Sequence, residues 1–398
     1  MQRLFPKKFS KLYFLYAALF FFSFQLGLTL YITSSFLKNF LPESFVGFVY
    51  IAASVASLFA LVYTPKVLPT LGNYQTTLAL LGLEFFALVA IAVWPESSAV
   101  IPLFIVYQGF VTISLFNIDV FIEQYSEERI TGALRGVMLT VLNFAILLGP
   151  LVAGYLLANG DFSKVYLAAA FFTLPTWWII ARHFHNFKDP VYQDISLFAA
   201  LKKTLLAKHP KDDIRHAGIA SFLMNFFYSW MVIYTPIYLH DYIGFSWGEI
   251  GIILTIMLLP FVLFEIPVGR YVDSKNAERR VMFLGFLIAA FFTATLVLLR
   301  EPSLLLWALC LFGTRVGMSF VEITSESYFF KRVTASDTSI ISIFRDMRPI
   351  SAIAGPLSAS VLLLFFDARL LFFILAGILL FGALNAALMR SPAHTSTN

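Results

Sequence analysis

The 398-residue chain has a single cysteine, Cys310, set inside an apolar run. An internal disulfide is excluded, and cysteine usage says nothing about redox compartment. Charge is scarce as well, with Asp, Glu, Lys and Arg making up 13% of the residues. A soluble domain of this length has a polar surface to cover, and so little charge cannot cover it. No G-x-x-x-x-G-K-[ST] loop is present, which argues against ATP as a driving force. H-E-x-x-H and G-x-S-x-G are missing too, so neither enzyme chemistry nor a cofactor is expected. His183 and His185 in "ARHFHNF" have too few ligating neighbours for a metal site.

What the chain has is apolar residues: 59% are hydrophobic, 45 are Phe, and the mean hydropathy is +0.82. A bilayer crossing needs about 20 such residues. Twelve runs qualify, at roughly 11–37, 44–63, 74–94, 99–122, 135–158, 165–183, 217–239, 248–268, 281–299, 303–329, 338–365 and 369–389. The basic start "MQRLFPKKFSKLYF" resembles a signal peptide, but the apolar stretch behind it is too long and lacks a small-residue cleavage pattern. It is read as a retained first helix. Most of the 28 Lys and Arg fall at the termini and in alternate loops. Only Lys38, Lys164, Arg300 and Arg369 fall in the opposite loops. The positive-inside rule then puts both termini in the cytoplasm, in a bacterial-type inner or plasma membrane. The same topology explains a net charge of +5 and a pI near 9.1, so no nucleic-acid partner is expected.

The longest polar segment splits the chain into a six-helix bundle (1–183), a cytoplasmic linker (184–216) and a second six-helix bundle (217–398). Within the linker, "DISLFAALKKTLLAKHP" has an amphipathic pattern: Phe198, Leu201 and Leu205 share a face, and Lys202 and Lys203 point away. It is expected to lie on the inner leaflet, with a regulatory site as the alternative. The halves repeat. Gly149-Pro150 in "LLGPLVAG" falls 206 residues before Gly355-Pro356 in "IAGPLSAS", and the same offset lays "TPKVLPTLGNY" over "RYVDSKNAERR". Duplicated six-helix halves are a transporter architecture.

Charges near the bilayer centre cost from about 2.5 to well above 10 kcal/mol, which makes them functional candidates. Glu84, Asp119, Glu123, Glu265, Arg315, Glu322, Glu326, Arg345, Asp346 and Arg348 qualify. On span 4, Gln108, Thr112, Asp119 and Glu123 form one stripe at helical spacing. On span 10, Arg315, Ser319, Glu322 and Glu326 form another. At about 1.5 Å rise per residue, Glu322 is level with Arg345, and Arg348 lies a turn deeper. An ion pair or network between spans 10 and 11 is expected. It is either a fixed brace or a switch opened by protonating the carboxylate. An uncompensated arginine there would suit an anionic substrate. Glu84 is expected to be buried against spans 2 and 4, with a proton site as the alternative. Glu265 is expected to brace its corner. Gln25, Ser221, Asn225 and Tyr228 join Gln108, Thr112 and Ser319 as candidate cavity residues. Tyr228, Trp230 and Tyr234 could form an aromatic wall, or simply face lipid. Asn143 is a weaker candidate.

These features together resemble the major facilitator superfamily. "GRYVD" after span 8, with Gly269 and Asp273 followed by Arg279 and Arg280, is similar to that family's loop motif. "GPLVAG" is similar to the Gly-Pro motif of its antiporter branch. The resemblance implies an all-α integral membrane fold of twelve helices in two pseudo-symmetric bundles, with spans 1, 4, 7 and 10 lining a central cavity. It implies a monomer that moves a small molecule by alternating access. H⁺ coupling would run through Asp119, Glu322, Glu326 or Glu84, with Arg315, Arg345 and Arg348 as counter-charges. Gly149, Pro150, Gly355 and Pro356 would help the helices rock, and Asp273 would latch a helix N-terminus at the start of span 5 or 11. Export is slightly favoured. H⁺-coupled uptake of an organic anion and a non-transporting receptor or assembly partner are the alternatives. Because Val67 replaces Asp273 in the first half, one latch is expected rather than two.

Overall fold

Hydrocarbon supplies no hydrogen bonds, so an unclosed chain must bond every backbone N–H and C=O within its own helix. The computed structural model describes residues 7–125, 131–190, 212–333 and 338–389. Its described helices are α1 (Lys7–Leu30), α2 (Thr33–Lys38), α3 (Glu43–Val93), α4 (Val100–Tyr125), α5 (Thr131–Leu156), α6 (Phe162–His183), α7 (Asp212–Ile237), α8 (Trp247–Lys275), α9 (Glu278–Leu298), α10 (Leu304–Phe330), α11 (Thr338–Leu363) and α12 (Ala368–Leu388). A π-helical turn, Tyr238–Tyr242, extends α7. The amphipathic linker pattern lies outside the described residues.

By length and hydropathy, ten described segments could cross a membrane. Two local features reconcile ten with the expected twelve. The 51-residue α3 holds two spans, separated only by Gly72 at φ 76° and ψ 159°. Helix α11 has 26 residues, enough to span, but Arg345, Asp346 and Arg348 lower its hydropathy. The expected loop after residue 63 is therefore helical as far as Leu71. Pro65 and Pro69 keep a helical φ, so each removes a backbone bond without ending the helix. Similarly, α8 runs two turns past its expected end, to Lys275, because hydropathy cannot register a polar helix end. Conversely, the first span breaks at Tyr31–Ile32 between α1 and α2, where Thr33 Oγ1 donates back to the Thr29 carbonyl at 2.8 Å.

The contacts divide the chain into two compact units, Met1–Ser196 with Ser246–Thr255, and Leu197–Phe245 with Ile256–Asn398. In the first, α1 packs on α4, α5 and α6, and α3 packs on α4 and α6. In the second, α7 packs on α10, α11 and α12, and α9 packs on α10 and α12. This is the same pairing scheme twice, as duplication of a six-helix bundle would leave it.

The two Gly-Pro pairs sit at equivalent crossings. A Cβ on Gly149 would lie 2.5 Å from Gly27 Cα, so α1 and α5 touch backbone to backbone. At Gly355 the missing side chain admits Ser229 and Trp230 of α7, and Trp230 Nε1 donates to the Gly355 carbonyl at 2.7 Å. Gly149→Ala should destabilise the protein by about 1–3 kcal/mol through overpacking. Gly82→Ala, where a Cβ meets nothing within 4 Å, should leave stability unchanged or raise it. Thermal unfolding in detergent checks both.

Candidate functional site

In the first unit the polar centre is Glu84, fully buried in the second half of α3. Ser114 Oγ of α4 donates to Glu84 Oε1 at 2.5 Å, and Gln25 Nε2 of α1 donates to Oε2 at 3.4 Å. Tyr107 OH of α4 donates to Gln25 Oε1 at 3.0 Å. Glu84 is thus held by spans 1 and 4 rather than by spans 2 and 4 as expected. Its partners are neutral, and it joins no ion pair among the described residues. Gln25, expected in a substrate cavity, is fully buried and bonded at both ends of its amide. Sequence reasoning missed Tyr107 and Ser114, although seven residues is two helical turns and places them on one face.

In the second unit the centre is Arg315, only 1% exposed near the middle of α10. Its guanidinium lies 5.1 Å from the Phe227 ring and 5.0 Å from the Tyr228 ring, both on α7. Its Nε and Nη1 are buried without a hydrogen-bond partner. Two turns along α10, Glu322 Oε2 accepts from Tyr228 OH at 2.9 Å. No described ion pair joins Glu322 to Arg345 or Arg348. The described hydrogen bond of Glu322 comes from span 7, with no direct contact to span 11 among the described ion pairs. A neutral hydroxyl satisfies the carboxylate without desolvating a second charge. Arg348 and Arg315 still act on Glu322 through space, as Arg345 and Arg348 act on Glu326.

The remaining predicted residues divide by exposure. Asp119, Glu123, Glu326, Arg345 and Arg348 are exposed. Thr112 Oγ1 donates to the Gln108 carbonyl at 2.8 Å and lies 3.0 Å from Ser57 Oγ, fastening α4 to the first half of α3. Ser319 and Asn225 donate to their own helices, to the Val316 and Ser221 carbonyls. Of the expected aromatic wall, only Tyr228 is open. Trp230 and Tyr234 are buried against α11, where Tyr234 OH meets Ser360 Oγ at 3.3 Å.

The predicted latch residues occupy the corner between α8 and α9. The chain turns there through Asn276, the one described non-glycine residue with a left-handed backbone, φ 47°. Asp273 Oδ1 lies 2.9 Å from Lys331 Nζ, and Ser327 Oγ donates to it at 3.4 Å. Lys331 also reaches Glu278 Oε1 at 2.7 Å, and Glu278 is fully buried. Asp273 therefore pairs with a cation at the C-terminal end of α10, where positive charge is favoured. The Thr131 to Arg135 side chains lie outside the described residues. Arg279 Nη2 donates to the Ala387 carbonyl at 2.5 Å, Arg280 is exposed, and Gly269 faces Ile323. The first unit turns at the equivalent corner through Gly72, and it also has an acid there. Asp189, beyond α6, accepts from the Asn73 backbone N–H at 2.7 Å and caps the second half of α3. Asp189 lies 116 residues from Asn73, beyond the reach of a loop-to-loop comparison.

The family model of the Major Facilitator Superfamily matches residues 12–336 and 217–398. The chain belongs to the Major Facilitator Superfamily. No curated protein sequence matches it. Solved members share the architecture. The POT family transporter PepTSo is 13% identical, with a TM-score of 0.76 over 96% of this chain and 98% of that one. The nucleoside transporter NupG is 15% identical, with a TM-score of 0.71 over 95% and 98%. The human organic anion transporter MFSD10 (TETRAN) is 14% identical, with a TM-score of 0.65 over 96% and 100%. Two bundles with a repeated pairing scheme are the superfamily's fold, and the chain is an integral, multi-pass membrane transporter of this type.

At the α8–α9 corner, burial would lower the Lys331 ammonium, but its bonds to Glu278 and Asp273 outweigh burial and hold it above the ordinary lysine value. Its contribution is intact below that ordinary value of 10.5 and is lost as pH rises through the raised one. Lys331→Met should therefore cost about 1–3 kcal/mol at neutral pH, because it strands the buried Glu278 carboxylate. Adding Glu278→Gln should restore most of the loss. A double-mutant cycle by thermal unfolding checks this.

Proposed function

We propose that this transporter is secondary active and H⁺-coupled, moves a small organic molecule by alternating access, and exchanges its proton at Glu322. The observation that carries the proposal is the contrast between the two buried carboxylates. Glu84 is sealed, with both oxygens bonded to neutral groups and no exposed surface. Glu322 is half-buried, holds one described bond, from Tyr228, and shares its helix face with Arg315 and Glu326. A coupling carboxylate needs a route for its proton and a charge that responds when the proton leaves; the partial exposure of Glu322 and the Arg315 on its helix face support that role. Glu84 fits a brace that ties spans 1, 3 and 4 together.

The distribution of Lys and Arg supports cytoplasmic termini. The repeated pairing supports bundles at about 1–183 and 217–398 joined by a linker, and one chain contains both halves, as a monomeric carrier needs. Gly149 is explained by its contact with Gly27, so it gives no argument for export over uptake.

The test uses proteoliposomes loaded with a pH-sensitive dye and challenged singly with a metabolite panel. In wild type, a transported compound should collapse an imposed pH gradient. Glu322→Gln should abolish that proton movement while retaining gradient-free exchange of the labelled compound. Glu84→Gln should retain proton movement. Undiminished proton movement in Glu322→Gln contradicts the proposal.

A further inference from the structure

We infer that Arg315 is an anion-binding residue, and that the transported molecule carries a carboxylate that docks on its guanidinium. The inference rests on the transport reading above and adds the substrate class. Arg315 is 1% exposed, yet its described contacts are two ring faces, Phe227 and Tyr228. Its Nε and Nη1 are buried with no acceptor, and it belongs to no described ion pair. Ring faces offset part of the desolvation of a cation, but they leave its N–H donors unbonded. A position needed only for packing would be served by an apolar side chain, which carries no such penalty. A planar fork with free donors matches a carboxylate.

The surroundings narrow the class. The nearest acid on the same helix face, Glu322, takes its bond from Tyr228. Ser319 and Asn225 each donate to their own helix, to the Val316 and Ser221 carbonyls. Among the described residues, no lysine or second arginine stacks on the two rings. One guanidinium balances one negative charge, which favours a carboxylate over a phosphate dianion. Half-buried Tyr228, with Phe261 packed edge-on at 5.9 Å, puts aromatic surface beside the charge. Benzoate is therefore a suitable probe and benzamide its neutral counterpart.

The experiment measures thermal unfolding of the full chain in lipid nanodiscs at constant ionic strength. Benzoate should raise the Tm of wild type saturably, whereas benzamide and inorganic phosphate should not. In Arg315→Met the benzoate effect should vanish, and the ligand-free Tm should be no lower than that of wild type, because no hydrogen bond is lost. If Arg315→Met does not fold, Arg315→Lys is the second variant, with a weakened benzoate shift expected. No benzoate shift in wild type, an equal shift from benzamide or phosphate, or an undiminished shift in the variants overturns the inference. Proton movement undiminished in Glu322→Gln, with the benzoate shift intact, would overturn the transport reading and leave the anion site standing. The reverse pair of results would overturn the anion site alone.

Discussion

A polar group inside hydrocarbon depends on the protein for every hydrogen bond it makes. That dependence organises the molecule. It forces the chain into helices, and it decides which intramembrane charges can be tolerated and how. Glu84 is accommodated by neutral donors from two neighbouring helices. Arg315 is accommodated by ring faces. Glu278, fully buried at a helix start, is accommodated by Lys331. Each solution leaves a different residual. Glu84 is satisfied, Glu278 keeps one bonded and one unbonded oxygen, and Arg315 keeps free donors. Only the last two retain an electrostatic demand that another group could answer.

The two units are alike in backbone and unlike in charge. Both follow one pairing scheme, and both turn a corner on a single left-handed residue, Gly72 in the first and Asn276 in the second. Gly72, with ψ 159°, lies in a region that is essentially open to glycine alone, whereas asparagine tolerates a positive φ better than most residues. Each corner is met by an acid, but the sources differ. Asp273 comes from the corner itself, whereas Asp189 comes from the segment beyond α6. Duplication preserved a geometric requirement and let its chemistry drift. The second unit holds Arg315, Glu322 and Glu326 on one helix; the first braces Glu84, its one fully buried acid among the described residues, with amide and hydroxyl groups.

Spans, duplication and the intramembrane charges were legible in the sequence because each is a local or periodic property. The offset between Gly149-Pro150 and Gly355-Pro356 already marks two equivalent helix crossings. What could not be read is what depends on the third dimension. Helical spacing places Glu322 on a face but does not say that Tyr228 arrives before Arg345. Hydropathy ends α8 where charge begins, although the helix continues to Lys275. Prolines at 65 and 69 suggest a loop because their missing N–H groups are visible in sequence, while their tolerance within a helix is not. Asp189 had no signal short of the folded chain.

The claim on which the account turns is that Glu322 is open to proton exchange and Glu84 is sealed. Infrared spectroscopy of the carboxyl bands during transfer to deuterated buffer tests it most directly, with Glu322→Gln and Glu84→Gln assigning the bands. The account predicts that the Glu322 band shifts promptly and changes with pH, while the Glu84 band stays in place over the same interval. Prompt exchange at Glu84 with a static Glu322 band would contradict it.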